Sequence, residues 1–217
     1  MGPPTLTMPL EEAIETQRSI RRLKPDPVED ELVIRLIELA LKAPTGSNAQ
    51  NWEFVVVRDR AVKERLGRLN RAAWRIYGGL GRRVNRDRPA MVRILDAVEW
   101  QAQHFAETPV VVVACLRGVR LPFPPIAASS YYGSIYPSVQ NLLLAARAAG
   151  LGAGVITLPL WSTVLARRVL GLPWNVTPCA VVPLGWPRGR YGPTTRRPAR
   201  DVIHVDRYGH QPFRESS

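Results

Sequence analysis

The sequence predicts an α+β domain in which a central sheet is flanked by helices. Two nearly continuous apolar runs rich in valine, WEFVVV from residue 52 and PVVVVACL from residue 109, have the composition of buried strands. Around them the apolar residues recur at helical spacing, without the regular alternation of strand and helix that builds a parallel sheet. A chain of 217 residues suits one domain of ordinary size, and no segment has the composition of an interdomain linker.

The predicted helices can be placed in order along the chain. The first eight residues are expected to be a disordered lead-in, and a short helix follows at 9–16. The clearest pattern comes next, with Asp26 as a candidate cap, Pro27 at the first helical position and a broad apolar stripe that ends before Pro44. Further helices are predicted at 60–77, 89–107, 134–150 and 162–170.

The remaining segments are assigned to strands and loops. GAGVITL from residue 152 and TPCAVVPLGW from residue 177 are predicted strands. The proline-rich stretch at 121–134 is predicted to be a loop that is mobile or lines a site. The arginine-rich residues from 188 onward complete the chain.

The chain is strongly basic, with 30 Lys and Arg residues against 18 Asp and Glu residues and a net charge of +12. Such a charge suits nucleic acid, a membrane surface or a phosphorylated ligand. The arginines are spread over several segments, so most are expected on a solvated surface, and no nucleic-acid partner is predicted. The most apolar window, residues 141–161, contains Arg147 and two glycines, so no membrane span or membrane partner is predicted. No signal-peptide pattern is recognised at the amino terminus, and a cytoplasmic location is expected.

Several catalytic and metal-binding classes have no motif in this sequence. Cys115 and Cys179 lie in separate apolar runs and are expected to be buried, inert thiols. With three histidines and no paired Cys or His ligands, no metal site is predicted. Residues 150–154, GLGAG, follow a helix and precede a strand, which is the reverse of a dinucleotide-binding loop. No phosphate-binding P-loop or serine-hydrolase motif occurs.

Two polar patterns point to a ligand. QRSIRR at 17–22 offers guanidinium and hydroxyl donors to a phosphate, and a second basic cluster at 196–200 could meet it on the same group. APTGSNAQNW at 43–52 places hydroxyls and amides beside the end of a buried helix, where they can read the polar edge of a planar heterocycle. The alternatives are a solvated basic turn for the first pattern and a hydrogen-bonded turn for the second.

Taken together, QRSIRRLKPDPVEDE, ALKAPTGSNAQNWEFVVV, YPSVQNLLLAARAAGLGAGVITL and VVPLGWP resemble the FMN-dependent nitroreductase family. The resemblance runs from about residue 11 to residue 208. It implies an α/β sandwich with a mixed, mainly antiparallel sheet, in an intertwined homodimer whose carboxy-terminal extension, residues 190–217, wraps the partner. It also implies one FMN at each of two interface sites, reduced by NAD(P)H through hydride transfer to N5 and reoxidised by a small nitroaromatic, quinone or enone acceptor.

The resemblance carries specific residues to the cofactor. Arg18 and Ser19 match the segment that holds the phosphate and ribityl chain, and Arg21 matches an electrostatic stabiliser at the flavin N1/O2 edge. No side chain is assigned as a catalytic acid or base, because the cofactor carries the chemistry. The resemblance also implies four further sets of contacts. They are a partner-facing loop (Pro44, Thr45, Gly46, Ser47 and Asn48), a ring-binding asparagine (Asn70), the strand end near N5 (Val155, Ile156 and Thr157) and the distal phosphate anchors (Arg196 and Arg197).

Three positions depart from the family pattern. Gln17 and Thr194 stand where many members have a cation, so Arg197 is expected to compensate, and Thr157 replaces an acidic residue that some members place near the flavin. The sequence looks most like an actinobacterial-type branch, with neighbours that use deazaflavins. Alternative functions are oxidation in a biosynthetic pathway, reductive dehalogenation, a deazaflavin-linked reductase, or a flavin- or nucleic-acid-binding protein without turnover.

Overall fold

The architecture is described from a computed structural model, which describes residues 5–118 and 125–214. Its strands are β1 (Trp52–Val57), β2 (Val110–Arg117), β3 (Gly152–Ala153) and β4 (Val176–Gly185). Its α-helices are α1 (Leu10–Thr16), α2 (Asp30–Ala40), α3 (Arg60–Val84), α4 (Pro89–Gln103), α5 (Pro125–Gly133), α6 (Tyr136–Ala148) and α7 (Thr163–Leu170). Short 3₁₀ turns occur at Gly46–Asn48, Phe105–Glu107, Leu158–Leu160 and Ala199–Asp201.

The four strands form one sheet in the order β1-β2-β4-β3, and every pairing in it is antiparallel. The side chains of β2 alternate between two cores. Val110, Val112 and Ala114 face the core that α2 and α6 cover, whereas Val111 and Val113 face the core that α3 and α7 cover. A strand covered on both faces needs no polar side, which explains its continuous apolar run. The predicted α+β fold with flanking helices is confirmed.

Several predicted boundaries are wrong. The second helix begins at Asp30 with Glu29 as its cap, not at Pro27. Residues 24–27 instead lie outside the helix, where Lys24 N–H donates to Trp186 O and the Trp186 indole donates to Pro27 O. The third helix continues seven residues past the predicted end at 77, to Val84. The predicted strand from residue 152 pairs over only Gly152–Ala153 and then through one isolated bridge from Ile156 to Val181.

The proline-rich stretch at 121–134 is also different from its prediction. Residues 125–133 form α5 rather than a loop, because the sequence after the prolines, IAASSYY, contains no helix breaker. The earlier part of that stretch, residues 121–124, lies outside the described residues. Of the expected disordered lead-in, residues 1–4 also lie outside them, and residues 5–8 belong to no helix or strand.

No described helix is both long enough and apolar enough to cross a membrane. Within residues 5–118 and 125–214, no cluster of His, Cys, Asp and Glu side chains has the grouping of a metal site.

Both cysteines are buried free thiols. Loss of hydration on burial raises the pKa of Cys115 to about 12 and that of Cys179 to about 11. Since the thiolate is the nucleophile, the native protein should resist iodoacetamide at about pH 8, whereas the unfolded chain should react at the rate of an ordinary thiol. Mass spectrometry after timed labelling, with and without guanidinium, measures both rates. Fast modification of the native protein would contradict this expectation.

Candidate functional site

The segment that carries the first basic cluster runs along the β3 edge of the sheet. Ile20 N–H donates to Ala153 O at 2.9 Å, and Arg188 N–H donates to Arg22 O at 3.0 Å. The missing side chain of Gly152 permits this approach, because a Cβ atom there would lie 2.6 Å from Leu23 Cδ2 and 2.8 Å from Ile20 Cγ2. Residues 19–24 are therefore fixed in register beside β3 and the end of β4.

Ser19 lies next to the predicted flavin-facing strand end. A Cβ atom on Gly154 would lie 3.3 Å from Ser19 Cβ, so the backbone just before Val155 approaches Ser19. Ile156 exchanges two 2.9 Å backbone hydrogen bonds with Val181 and packs against the core under α3. Val155 and Thr157 are exposed on the opposite side. The structure thus brings Ser19 and residues 155–157 to one edge of the sheet.

The carboxy-terminal segment folds back onto the first basic cluster. Thr194 donates to Glu15 O through both its backbone N–H, at 2.9 Å, and its hydroxyl, at 3.1 Å. A Cβ atom on Gly192 would lie 3.7 Å from Arg18 Nη1. Arg196 and Arg197 follow shortly afterwards and are exposed. The chain leading to the second basic cluster therefore passes beside the first.

Tyr191 holds this carboxy-terminal segment against the body of the domain. Its hydroxyl donates to Leu151 O, and the Arg147 guanidinium lies 4.1 Å from its ring centre. Burial raises the pKa of Tyr191 to about 12, so the hydroxyl remains a proton donor at neutral pH. Arg147 in turn donates to the Thr16 hydroxyl at 2.8 Å, which ties α6 to the end of α1.

Arg21 is a partly buried cation without a partner. Its Nε is buried and has no hydrogen-bond partner, and it forms no ion pair with any described residue. Burial lowers the pKa of Arg21 from its ordinary value, although a guanidinium remains protonated in proteins. A desolvated, unpaired cation is costly by itself. An anionic or strongly polar ligand edge placed against it would remove that cost.

Gln101 is a second buried polar group without a partner. Unlike Arg21, it was not predicted from the sequence. It is 3% exposed, and its Nε2 is buried without a hydrogen-bond partner. The preceding residue, Trp100, lies near the first basic segment, with its ring centre 6.0 Å from the Arg22 guanidinium and 5.4 Å from that of Arg188. The only signal in the sequence is one amide on the buried side of α4, beside Ala102.

The polar loop at 44–50 is anchored to a different part of the fold from the first basic cluster. Gly46 N–H donates to the Ser134 hydroxyl at 3.1 Å, and the Trp52 indole donates to Ser134 O at 2.7 Å, which anchors the loop to the start of α6. Pro44, Gly46, Ser47 and Asn48 are exposed, and Thr45 is half-buried. Within the described part of one chain, no hydrogen bond or ion pair joins this loop to Arg18, Arg21 or Thr157.

The same loop is conformationally strained. Ser47, Asn48 and Gln50 all have left-handed backbones, with φ of 53°, 50° and 47°. Such a conformation costs a residue with a side chain roughly 1–2 kcal/mol. The Thr45 hydroxyl accepts from Gln50 N–H at 3.1 Å, and Asn48 Oδ1 accepts from the Gln50 amide at 3.2 Å. These bonds hold the loop in its strained conformation, and Ser47, Asn48 and Gln50 remain exposed.

Asn70 is buried in the middle of α3, at 3% exposure. This helix packs against the 3₁₀ turn at Leu158–Leu160, which directly follows Thr157. A cavity of about 490 Å³ opens beside that turn. Among the described residues, no charged side chain lines it, and its walls are made by three aromatic rings, aliphatic groups, two threonines and a thiol: Tyr132, Tyr136, Thr157, Leu158, Leu160, Trp161, Thr163, Pro178 and Cys179.

Residues 14–186 match the nitroreductase family over most of the chain. The chain belongs to this family. The NADH dehydrogenase of Thermus thermophilus is 30% identical over 86% of this chain and 91% of its own. Iodotyrosine deiodinase 1 of Rattus norvegicus is 28% identical over 89% of this chain and 68% of its own.

A solved structure shares the fold of this nitroreductase-family chain. The NADPH:FMN oxidoreductase of Vibrio harveyi, complexed with NAD⁺, superposes with a TM-score of 0.68 and 23% identity, over 92% of this chain and 77% of that one. Membership of this family makes the protein an oxidoreductase of a flavoprotein family.

Proposed function

We propose that this nitroreductase-family protein binds FMN, takes a hydride from NAD(P)H and passes it to a small, uncharged aromatic, quinone or enone acceptor. The observation that carries the proposal is the partnerless Nε of Arg21, buried on the same segment as Ser19. The neighbouring polar residues of that segment, Arg18, Ser19 and Arg22, are donors rather than acids, which suits the electron-rich edge of a flavin and its phosphate.

Each part of the cofactor has a candidate partner in this chain. Arg18 and Ser19 would hold the phosphate and ribityl chain, with Arg196 and Arg197 as further phosphate cations on the segment that passes beside Arg18. Arg21 would donate to the N1/O2 edge. The backbone of residues 155–157 would lie against the ring, and the amides of Gln101 and Asn70 are candidate donors to its polar edge.

When bound, FMN supplies the hydride chemistry at N5, so the chain itself needs no acid or base in that step. The chain's own contribution is orientation, charge and exclusion of water. A fixed guanidinium at the N1/O2 edge stabilises negative charge there without reorganisation of solvent. The cavity beside Thr157 is lined by aromatic rings, and none of its described lining residues is charged, which suits a planar acceptor without ionic groups.

A second copy of the chain would complete the site. The loop at 44–50 is polar, exposed and anchored far along the chain from Arg21, at Ser134. We propose that this loop reaches the cofactor of a partner subunit in a homodimer, and that residues 190–217 wrap that partner. A cytoplasmic location, where reduced NAD(P)H is present, belongs to the same proposal.

Reductive dehalogenation is the strongest alternative, since a deiodinase is among the relatives. Within residues 5–118 and 125–214, no charged side chain lines the cavity beside Thr157, so these residues offer no partner to the ammonium and carboxylate of an amino acid substrate. This favours a neutral acceptor. Biosynthetic oxidation, a deazaflavin-linked donor and the actinobacterial-type assignment remain predictions from the sequence.

The decisive test is the visible absorption spectrum of the purified protein before and after anaerobic addition of NADPH or NADH. We expect a yellow protein whose flavin absorbance bleaches with one of them. If a flavin is bound but neither nucleotide bleaches it, the electron donor is not NAD(P)H, and reduced deazaflavin would be tested next. A protein that stays colourless after addition of FMN would contradict the proposed cofactor.

A further inference from the structure

The end of the α3–α4 hairpin carries a surface that the proposed oxidoreductase function does not use. This hairpin tip, residues 75–94, contains six arginines and one aspartate. It comprises the last turns of α3, the connecting turn and the first turns of α4. It therefore holds much of the excess positive charge of the chain.

Apolar side chains project into solvent along the same helix. Ile76, Leu80 and Val84, spaced by four residues, are 76%, 63% and 71% exposed, and Tyr77 beside them is 59% exposed. Residues at this spacing lie on one face of a helix. Four large apolar side chains exposed in one stripe are uncommon on a surface without a partner.

Most of the arginines at the tip are unpaired. Arg82 bonds Asp96 at 2.8 Å and Glu99 at 2.5 Å, which clamps α3 to α4 and uses the two nearest acids of α4. Among the described residues, the other five form no ion pair or side-chain hydrogen bond, and all five are exposed: Arg75, Arg83, Arg86, Arg88 and Arg93. Asp87 is the only acid within the tip.

The combination of an apolar stripe with flanking arginines identifies the partner. We propose that the hairpin tip docks peripherally on an anionic phospholipid surface, with Ile76 and Leu80 entering the headgroup boundary and the arginines contacting lipid phosphates. Surface-bound amphipathic helices have this arrangement, and each arginine near an anionic bilayer contributes about 1 kcal/mol. The sequence-based expectation of no membrane partner rested on the absence of a spanning segment, which surface docking does not require.

Two other occupants fit the tip less well. A twofold contact centred on the tip would set the same arginines against each other, with only Asp87 within the tip to offset them. Duplex DNA would match the arginines, but its phosphates and groove edges would leave the four exposed apolar side chains without apolar partners.

Flotation with lipid vesicles tests the proposal on the flavin-loaded, full-length protein. Vesicles of phosphatidylcholine alone are compared with vesicles that contain about one third phosphatidylglycerol, at about 0.15 M salt. Binding to the anionic vesicles only is expected. The triple variant Arg75→Gln, Arg83→Gln, Arg86→Gln should bind them ~100-fold more weakly, from about fivefold per arginine.

A matched variant separates the tip from the overall charge. The control is the triple variant Arg65→Gln, Arg168→Gln, Arg207→Gln, which removes the same charge from three exposed, unpaired arginines outside the tip. Its vesicle binding should stay within a few-fold of the parent, because these charges lie away from the proposed contact. Equal losses in both triple variants would show attraction by net charge and overturn the proposal.

The apolar half of the surface is tested by Ile76→Ser with Leu80→Ser. Both side chains are exposed, so the fold should tolerate the change. Reduced vesicle binding with an unchanged sedimentation coefficient supports docking. A changed oligomeric state would show that the apolar stripe is a subunit contact. Tip-dependent binding to duplex DNA or polyglutamate, in preference to vesicles, would show that the partner is a polyanion. Either result, or no vesicle binding at all, overturns the proposal.

Discussion

Replacement of both Arg18 and Arg21 by alanine should weaken FMN binding by about 100-fold or more, because hydrogen bonds to charged groups contribute roughly 1.5–3 kcal/mol each. Arg21 is partly buried, and its Nε has no hydrogen-bond partner. Arg18 lies beside Gly192, which belongs to the segment that leads to the second basic cluster. Titration of the apoprotein with FMN, followed by quenching of flavin fluorescence, measures the loss. The parent and variant are compared at equal protomer concentration.

The control for this variant removes two cations that lie outside the candidate site. Arg65→Ala with Arg168→Ala makes the same charge change at exposed positions and should leave FMN affinity within a few-fold of the parent, because exposed charges beyond about one Debye length are screened. Circular dichroism should show both variants folded. A folded Arg18→Ala, Arg21→Ala protein with parental FMN affinity would remove these residues from the phosphate and ring edge.

Replacement of Phe105 by alanine should lower the free energy of unfolding by about 3–5 kcal/mol, as is typical when a buried aromatic side chain is truncated. Phe105 is 0% exposed and belongs to the core that contains Leu66, Val111 and Val113. Its 3₁₀ turn joins α4 to β2, so the ring connects the helical layer to the central strand.

Ile34→Ala provides the comparison, because its side chain is 57% exposed and its loss should cost less than about 0.5 kcal/mol. Denaturant unfolding is measured at a fixed protomer concentration, since any subunit association adds to apparent stability. Similar losses for both variants would contradict the assignment of Phe105 to the core.

The sequence could predict the helices and strands whose apolar residues follow a clear pattern along the chain. The continuous valine run became a strand with both faces covered, and the apolar spacing of YPSVQNLLLAARA became α6. Other elements depended on partners distant in the chain. Asp26 does not cap the helix, since Trp186 bonds both Lys24 and Pro27 outside it, and β3 pairs with β4 over only Gly152–Ala153, where Ile20 bonds Ala153 O from the other side. Neither relation leaves a local pattern.

The candidate site shows the same limit. Clusters of polar residues at 17–22 and 43–52 were visible as patterns, but their arrangement was not. The glycines at 152 and 154 become informative only once Ile20 and Ser19 are seen against them. Gln101 carries no motif at all, because a single amide in a helix acquires meaning only from its burial. Burial and contact across the chain are properties of the fold.

The bond from Thr194 to Glu15 joins residues 179 positions apart, and this separation matters while the protein is being made. The first basic cluster is synthesised well before the segment that passes beside it. Because domains fold as units once their sequence has emerged, the phosphate end of the candidate site cannot form until that segment has left the ribosome. A cofactor held by both segments can therefore be acquired only after that point in synthesis.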